Sequence, residues 1–337
     1  MKALVVTAPH HVAVLEVAPP EAVPGEVVVA VGRAGICGTD VEFFTGEMQY
    51  LHTRHAEFPM RLGHEWMGTV VEVGADVDPN WIGRRVTGDT MLGCGHCIRC
   101  STGRQHVCVD RTEIGIRGGR PGALAELLAV PATSLHPLPD SVDDTTGALV
   151  EPGGNAWRSV DAAKLQPGDR ALILGPGTIG LLCGLFAVAA GAEVHVLGRS
   201  ARSLEFASQF GFAGVWTEAS LPELAWDAVI DASNAPSMPA LAVSLVEPGK
   251  RVVFVGLSGS PSLVDSRDLA LADVTAVGVL SASPGLAATI EAYASGAVDP
   301  RPLVAATVSL DELPAILAGD RPSGAGPGPK IHVRLGG

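Results

Sequence analysis

One stretch in the second half of the chain constrains the fold more than any other, because a buried strand runs directly into a glycine-rich turn and then an apolar helix. The strand is predicted over Arg170–Leu174, the turn over 175–180 and the helix over about 178–190. Further apolar runs of strand length follow, separated by helical patterns. This alternation predicts an α/β fold with a parallel, doubly wound sheet. The later strands are predicted at Glu193–Leu197, Trp226–Asp231, 251–255 and 273–280.

The turn carries the pattern Gly-Pro-Gly-Thr-Ile-Gly. Such a pattern is a weak signal alone, but here it follows a strand and opens a helix, which is the context that dinucleotide binding requires. Glycines permit close approach of the backbone to a pyrophosphate, which the helix N-terminus attracts. The alternative is a plain strand–helix turn. The residues predicted to contact the nucleotide here are Gly175, Gly177, Thr178, Ile179 and Gly180.

The end of the second predicted strand bears on the choice between NAD and NADP. NAD sites usually place an acidic residue there to bind the ribose hydroxyl. This chain has Gly198 at that position, followed by Arg199, Ser200 and Arg202, whose groups could hold a 2′-phosphate. The sequence therefore favours NADP over NAD. The alternative is that both arginines are simply exposed at a helix start and the coenzyme choice is indifferent.

The first 150 residues or so have a different rhythm, in which short apolar runs separated by Pro and Gly predict a β-rich domain. Within it, residues 92–110 lack apolar periodicity but hold Cys94, Cys97, Cys100 and Cys108. Four thiolates at this spacing predict a closed, structural zinc site. Disulfides are a poor alternative in a reducing compartment. An iron–sulfur cluster is disfavoured because the tight fourth Cys-Pro spacing of ferredoxins is missing.

A second set of potential ligands is dispersed along the β-rich domain. A lone cysteine or histidine is usually a core residue. Together these residues offer a thiolate, an imidazole and carboxylates, and three protein ligands leave a fourth position for water or substrate, as in catalytic zinc sites. Spacing alone does not show that they converge. The potential ligands are Cys37, His64, Glu65 and Glu151, and Thr39 and Asp40 stand close to the cysteine in the sequence.

The order of these motifs resembles that of the zinc-dependent medium-chain dehydrogenase/reductase family, the alcohol dehydrogenases. Gly63 to Gly68 resembles the family's zinc signature, Cys37 to Asp40 resembles its first-ligand motif, and the four-cysteine segment stands where the family carries a structural zinc. The resemblance covers essentially the whole chain. It implies a GroES-like β-rich catalytic domain at 1–152 and 283–337, and a Rossmann domain at 153–282.

By the same resemblance, Cys37, His64 and Glu151 are the ligands of a catalytic zinc, and Glu65 either binds zinc or lies next to it. Glutamate at position 151 resembles the polyol and sugar dehydrogenases, such as those acting on sorbitol and glucose, rather than the ordinary alcohol dehydrogenases. The implied reaction is hydride transfer between NAD(P) and a secondary alcohol or ketone, with zinc as the Lewis acid.

Residues near these ligands bear on proton transfer and substrate. The resemblance implies that Asp40 accepts a hydrogen bond from the histidine ligand and that Thr39 relays the alcohol proton; a local turn or backbone hydrogen bond is the alternative for each. Glu42 stands where many relatives have histidine, and with Glu151 it favours a polyol, sugar or cyclitol substrate. Glu113 resembles a segment near the site in sugar dehydrogenases, and a surface carboxylate is its alternative.

The composition of the chain limits the classes of molecule that it can bind. The formal net charge of -13 argues against nucleic-acid binding, which requires a basic face. We expect no export signal and no membrane span, and hence a cytoplasmic location. The family resemblance implies a homodimer or homotetramer, in which the predicted strand 273–280 pairs with its copy.

Two other functions remain open from the sequence. One is a zinc-free NADPH-dependent reductase of quinones or enones, although that branch generally lacks the combined cysteine and histidine set found here. The other is a non-catalytic zinc and nucleotide-binding relative. Metal content and turnover of alcohols and ketones distinguish these functions.

Overall fold

The computed structural model describes residues 1–336, which divide into two units. The first comprises residues 1–151, 300–326 and those from Lys330 onward, and the second comprises 152–299 and 327–329. The chain therefore returns to the first unit at Pro300, later than the residue 283 expected from the sequence. The intervening helix belongs to the second unit, where Tyr293 stacks on Phe186 with ring centroids 6.0 Å apart.

The first unit is built mainly from short strands. Its strands before residue 150 are β1 (Lys2–Ala8), β2 (His11–Glu16), β3 (Glu26–Gly35), β4 (Met60–Arg61), β5 (Glu65–Val73), β6 (Arg85–Gly88), β7 (Met91–Leu92), β8 (Thr112–Glu113), β9 (Leu127–Pro131) and β10 (Leu135–Pro137). Its helices in this part are α1 (Gly38–Thr45), α2 (Gln49–His52), α3 (Ile98–Ser101) and α4 (Asp144–Ala148).

The second unit alternates strands and helices, and the chain enters it along α5 (Val150–Ala163). Its strands are β11 (Arg170–Leu174), β12 (Glu193–Leu197), β13 (Gly214–Trp216), β14 (Trp226–Asp231), β15 (Val246–Phe254) and β16 (Thr275–Gly278). Its other helices are α6 (Thr178–Ala189), α7 (Ala201–Ala207), α8 (Met238–Leu245), α9 (Ser266–Leu271) and α10 (Leu286–Ala294). The chain then adds β17 (Val304–Ser309), α11 (Leu313–Leu317) and β18 (Lys330–Arg334) to the first unit.

The largest sheet of the first unit has the order β10-β6-β5-β3-β18-β17, and β9 also pairs with β3. A smaller sheet has the order β2-β1-β4. In the large sheet β3 lies between β5 and β18, and its last residue, Gly35, is opposite both Glu65 on β5 and His332 on β18. Residues far apart in sequence are thereby brought to one end of β3.

The sheet of the second unit has the order β13-β12-β11-β14-β15-β16, and every pairing in it is parallel. The predicted doubly wound α/β fold is confirmed. The sequence missed β13, whose three residues are only half-buried and so lack the apolar signal of the central strands. Among residues 1–336, no helix is both long and apolar enough to cross a membrane.

Candidate metal centres and nucleotide-binding turn

The structure brings the four clustered cysteines together. The Sγ atoms of Cys97 and Cys100 lie 3.6 Å apart, those of Cys97 and Cys108 lie 3.7 Å apart, and those of Cys94 and Cys100 lie 4.0 Å apart. Tetrahedral zinc–thiolate bonds of about 2.3 Å would separate the sulfurs by about 3.8 Å. The cysteines are free thiols, and their spacing fits a closed four-thiolate metal site.

Local backbone geometry favours thiolates in this cluster. Backbone N–H groups of His96 and Cys97 lower the pKa of Cys94 to about 6, and the N–H of Cys100 lowers the pKa of Cys97. Burial raises the pKa of Cys100 to about 11. Thiolate is the form that binds metal, so these backbone N–H groups favour the metal-binding form of Cys94 and Cys97.

A second cluster contains Cys37, His64 and Glu65. One ligand atom from each lies within 4.8 Å of the others. Cys37 is half-buried at the N-cap of α1, whereas the histidine and the carboxylate are buried at the start of β5. Gly35 is required beside them, because a Cβ atom at that position would lie 2.2 Å from Oε2 of Glu65. The geometry thus joins three of the dispersed residues singled out in the sequence.

Asp40 ties together the two segments that carry these ligands. Its Oδ2 accepts a hydrogen bond from the backbone N–H of Cys37 at 2.8 Å, and its Oδ1 accepts one from the N–H of Gly63 at 3.1 Å. The hydrogen bond expected with the His64 ring is not formed, because Oδ1 lies 3.9 Å from Nδ1. That ring nitrogen has no hydrogen-bond partner among residues 1–336. Asp40 therefore positions the ligands through the backbone.

Lys330, which the sequence analysis missed, binds Glu65 directly. Its Nζ donates to Oε1 at 2.7 Å, to Oε2 at 2.8 Å and to the carbonyl oxygen of Ile36 at 2.9 Å. Lysine and glutamate are both buried. Burial alone would lower the pKa of Lys330, but the neighbouring charges on Glu65 and Cys37 raise it above its ordinary value. Only its position after a Gly/Pro-rich loop distinguished Lys330 in the sequence.

Glu151 is buried near the cluster but is not one of the three residues whose ligand atoms converge. Its charge reaches His64. Burial would lower the pKa of His64, but a hydrogen bond with Cys37 and the charges of Cys37, Asp40 and Glu151 raise it well above the usual value. The surroundings of the ring therefore favour positive charge, whether that charge is a proton or a metal ion.

Two candidate polar residues lie on α1. The hydroxyl of Thr39 is 4.0 Å from Sγ of Cys37 and is half-buried, so it lies beside the cluster. Glu42 is exposed and, among the described residues, does not belong to either group of potential metal ligands. The structure thus places Thr39 beside the cluster, while Glu42 is not among its potential ligands.

Glu113, the other acidic residue considered in the sequence, is buried and hydrogen-bonded to its neighbours instead of facing solvent. It is buried, and its Oε1 accepts hydrogen bonds from Nε of Arg111 at 2.8 Å and from the hydroxyl of Tyr50 at 3.2 Å. Arg111 also donates to the carbonyl oxygen of Cys108 at 3.2 Å. Glu113 therefore anchors the segment that follows the four-cysteine cluster, and the surface-carboxylate alternative is wrong.

The glycine turn of the second unit has the geometry expected of a nucleotide-binding turn. Gly175 follows β11 with φ of 98°, a conformation that side chains rarely adopt. A Cβ atom on Gly180 would lie 1.9 Å from the carbonyl oxygen of Gly175, so the turn packs backbone against backbone. Gly177 caps α6, and Thr178 and Ile179 form its first turn. The first N–H groups of α6 therefore lie at the C-terminal end of β11.

The residues after β12 contain no carboxylate up to Arg202. Gly198 is buried, and Arg199 and Arg202 are exposed. Ser200 caps α7, with its hydroxyl accepting from the N–H of Ser203 at 3.5 Å. Two guanidinium groups and one hydroxyl are thus available at the end of this strand.

Comparisons with known proteins identify the family of the chain. The family model for the alcohol dehydrogenase GroES-like domain matches residues 23–140, and that for the zinc-binding dehydrogenase matches residues 178–295. L-threonine 3-dehydrogenase of Pectobacterium atrosepticum is 31% identical over 278 residues, covering 79% of this chain and 75% of that protein.

Solved structures match the whole fold. The alcohol dehydrogenase rspB of Escherichia coli CFT073, complexed with NADH, has a TM-score of 0.89 at 26% identity and covers 99% of both chains. A zinc-binding dehydrogenase of Sinorhizobium meliloti 1021, bound to NADP, has a TM-score of 0.89 at 28% identity, covering 99% of this chain and 98% of that one.

The fold and the matched domains define a zinc-type medium-chain alcohol dehydrogenase, and the chain belongs to that family. It is an NAD(P)-linked alcohol dehydrogenase with a GroES-like domain and a Rossmann domain. The family, fold class and enzyme class predicted from the sequence are confirmed.

Proposed function

We propose that this chain transfers a hydride between NADP and a secondary alcohol or ketone in a polyol, sugar or cyclitol. The observation that carries the proposal is the convergence of Cys37, His64 and Glu65, with Glu151 buried nearby. One thiolate, one imidazole and one carboxylate would hold a catalytic zinc and leave a position for substrate. Cys94, Cys97, Cys100 and Cys108 would hold a second, structural zinc.

We propose that Glu151, rather than Glu65, is the third ligand in the resting enzyme. Both oxygens of Glu65 already accept hydrogen bonds from Lys330, at 2.7 and 2.8 Å. If Glu65 moved away from Lys330 to bind zinc, the buried ammonium group of the lysine would lose its charged partner, which costs free energy. Glu151 is buried, and its charge raises the pKa of His64, so it lies close enough to the cluster to serve as a ligand. Loss of the zinc in Glu151→Gln but not in Glu65→Gln would support this assignment, and the reverse would refute it.

When bound, zinc supplies Lewis-acid chemistry that lowers the pKa of an alcohol. The protein provides the proton path and the alignment. Thr39, 4.0 Å from Sγ of Cys37, would accept the proton of the substrate hydroxyl and pass its own hydroxyl proton towards the ribose of the bound coenzyme. Asp40 holds the backbone of Cys37 and Gly63 and so fixes the distance between the two ligand-bearing segments.

The relay role of Thr39 has a matched pair of variants. Thr39→Val removes the hydroxyl but keeps the shape, and should lower kcat about 100-fold or more, since positioned proton transfer contributes about 10²–10⁴. Thr39→Ser keeps the hydroxyl and should retain most of the rate. Equal activity of the two variants would show that Thr39 has only a local backbone role.

We propose NADP as the preferred coenzyme. Support comes from the absence of a carboxylate at Gly198 and from the exposed guanidinium groups of Arg199 and Arg202, with Ser200 between them. Replacing both arginines with alanine should lower kcat/KM for NADP by about tenfold or more and leave NAD little affected, since a hydrogen bond to a charged group is worth about 1.5–3 kcal/mol. Wild-type preference for NAD would contradict the proposal.

We propose a homodimer or homotetramer assembled through the edge of the second unit's sheet. β16 is the last strand of that sheet, and Thr275, Ala276 and Gly278 in it are exposed. Leu271 and Leu280 on either side are also exposed. An exposed apolar edge of this kind is a template for pairing with another copy. Sedimentation of Ala276→Pro should show monomers, and an unchanged oligomer would place the interface elsewhere.

A screen of polyols, sugars, cyclitols, simple secondary alcohols and L-threonine with NADP tests the function as a whole. The proposal predicts that a polyhydroxylated substrate has the highest kcat/KM. L-threonine is included because a relative is named for it, and preference for it would correct the substrate class. Reduction of quinones or enones by zinc-free protein would favour the reductase alternative. Absence of any turnover in zinc-loaded protein would favour the non-catalytic one.

A further inference from the structure

A cavity of about 430 Å³ opens on the first unit and contains none of the proposed metal ligands. Its walls come from Val5 on β1, from residues 17–20 after β2, from the segment 56–61 around β4, and from residues 116–121. The volume lies within the range of small-molecule sites, about 300–1,000 Å³. All the lining residues belong to the first unit, so the cavity is complete within it.

Three arginines line this cavity, and they differ in how their charges are balanced. Arg120 forms an ion pair with Glu26 at 2.7 Å. Arg117 lies over the ring of Tyr50, with Cζ 5.5 Å from the centroid. The side chain of Arg61 is half-buried and makes no hydrogen bond or ion pair within residues 1–336. One of the three guanidinium groups therefore has no acceptor.

The charge on Arg61 cannot be relieved by deprotonation. Burial lowers the pKa of Arg61 below its usual value, but a guanidinium remains protonated at any physiological pH. The carboxylate of Glu57 also lines the cavity, yet Glu57 is exposed and forms no ion pair with Arg61 in the described chain. A partly desolvated cation without an acceptor favours an anion in the adjoining space.

The remaining wall is apolar. Val5 and Ile116 are buried in it, and Phe58 and Met60 are half-buried. An inorganic anion would leave this surface in contact with water, whereas an alkyl or aryl group would cover it. We propose that the cavity binds a small organic carboxylate with an apolar body, whose carboxylate pairs with Arg61 and whose hydrocarbon part contacts Phe58 and Met60.

Calorimetric titration of the full chain with hexanoate, at saturating NADP, tests this site. Arg61→Gln should weaken binding at least about tenfold, because one charge-assisted hydrogen-bond pair is lost. Arg84→Gln removes an exposed arginine outside the cavity and should bind as wild type. Hexanol lacks the charge and inorganic phosphate lacks the apolar body, so each should bind wild type at least about tenfold more weakly than hexanoate does.

A second variant tests the cavity without altering charge. Ala18 is exposed and lines the cavity, so Ala18→Trp should fill its mouth and abolish hexanoate binding without disturbing the core. Melting profiles confirm that each variant is folded. The proposal is overturned if Arg61→Gln and Ala18→Trp bind hexanoate as wild type, or if hexanol binds equally well. It is also overturned if Cys37→Ser alone abolishes binding, because the carboxylate would then occupy the metal centre.

Discussion

Replacement of Lys330 by methionine should strongly destabilise the first unit. Methionine fills similar space but leaves the buried carboxylate of Glu65 without the ammonium group that now lies 2.7 and 2.8 Å from its oxygens. Breaking a buried ion pair by removing one partner costs about 3–5 kcal/mol, because the remaining charge is uncompensated. Urea unfolding followed by circular dichroism, at matched metal content, measures the loss.

A matched control separates burial from pairing itself. Lys250 also lies 2.7 Å from a carboxylate, that of Asp227, but its side chain is 42% exposed. Lys250→Met should therefore have only a small fraction of the Lys330→Met effect, since exposed pairs contribute little. Adding Glu65→Gln to Lys330→Met should restore much of the lost stability. Equal stability of the two lysine variants, or no recovery on adding Glu65→Gln, would show that the buried charge of Glu65 does not depend on Lys330 for compensation.

The effect of Lys330 also has a defined pH dependence. The pKa of Lys330 is raised in the folded state, so its stabilising contribution is fully present below the unfolded lysine value of about 10.4 and is lost as pH rises through the folded pKa. The difference in unfolding free energy between wild type and Lys330→Met should therefore be constant through neutral pH and shrink only in strongly alkaline solution.

Three further predictions follow from particular contacts. Gly35→Ala should destabilise the first unit by about 1–3 kcal/mol in urea unfolding, because its Cβ would lie 2.2 Å from Oε2 of Glu65; unchanged stability would show that the carboxylate moves freely. Hydrogen bonds from Arg170 and His195 lower the pKa of Glu193 to about 2, so its stabilising contribution is present above about 4.5 and lost as pH falls towards 2. Glu193→Gln should therefore reduce the pH dependence of the unfolding free energy between about pH 4.5 and pH 2. An unchanged pH dependence would show that the hydrogen bonds to Glu193 do not stabilise the folded protein. Metal removal by a strong chelator should lower the unfolding temperature of the wild-type protein. If fully metal-loaded protein has the same unfolding temperature before and after chelation, the metal has no structural role.

The parts of the fold that could be predicted are those with a strong local signal. β11 and the turn after it were readable because a continuous buried run ends at glycines that permit one backbone path. The four-cysteine cluster was readable because its ligands lie within fifteen residues of one another. In both cases the feature depends on residues that are close together in the sequence, so it can be predicted without knowledge of the tertiary packing.

The parts that could not be predicted depend on strand pairing over long sequence separations. Lys330 meets Glu65 only because β18 and β5 flank the same strand, β3. Asp40 lies beside the potential ligands as expected, but its hydrogen-bond partners differ from the expected histidine. Its carboxylate accepts from two backbone N–H groups, because the fold places Cys37 and Gly63 closer to it than the ring of His64. The sequence places the return to the first unit at residue 283 instead of Pro300 because the helix between them, α10, is amphipathic. Its pattern shows that one face is buried but not which unit that face packs against.

The protein is proposed to hold two metal sites of different kinds, and zinc stoichiometry of the purified protein tests this claim most directly. Wild type should contain two zinc ions per chain, one in each proposed site. Cys37→Ser should lose one zinc and all activity while remaining folded, whereas Cys97→Ser should lose the other zinc and much of its thermal stability. One zinc or none in the wild-type protein, or full activity in Cys37→Ser, would contradict the presence of separate catalytic and structural zinc sites.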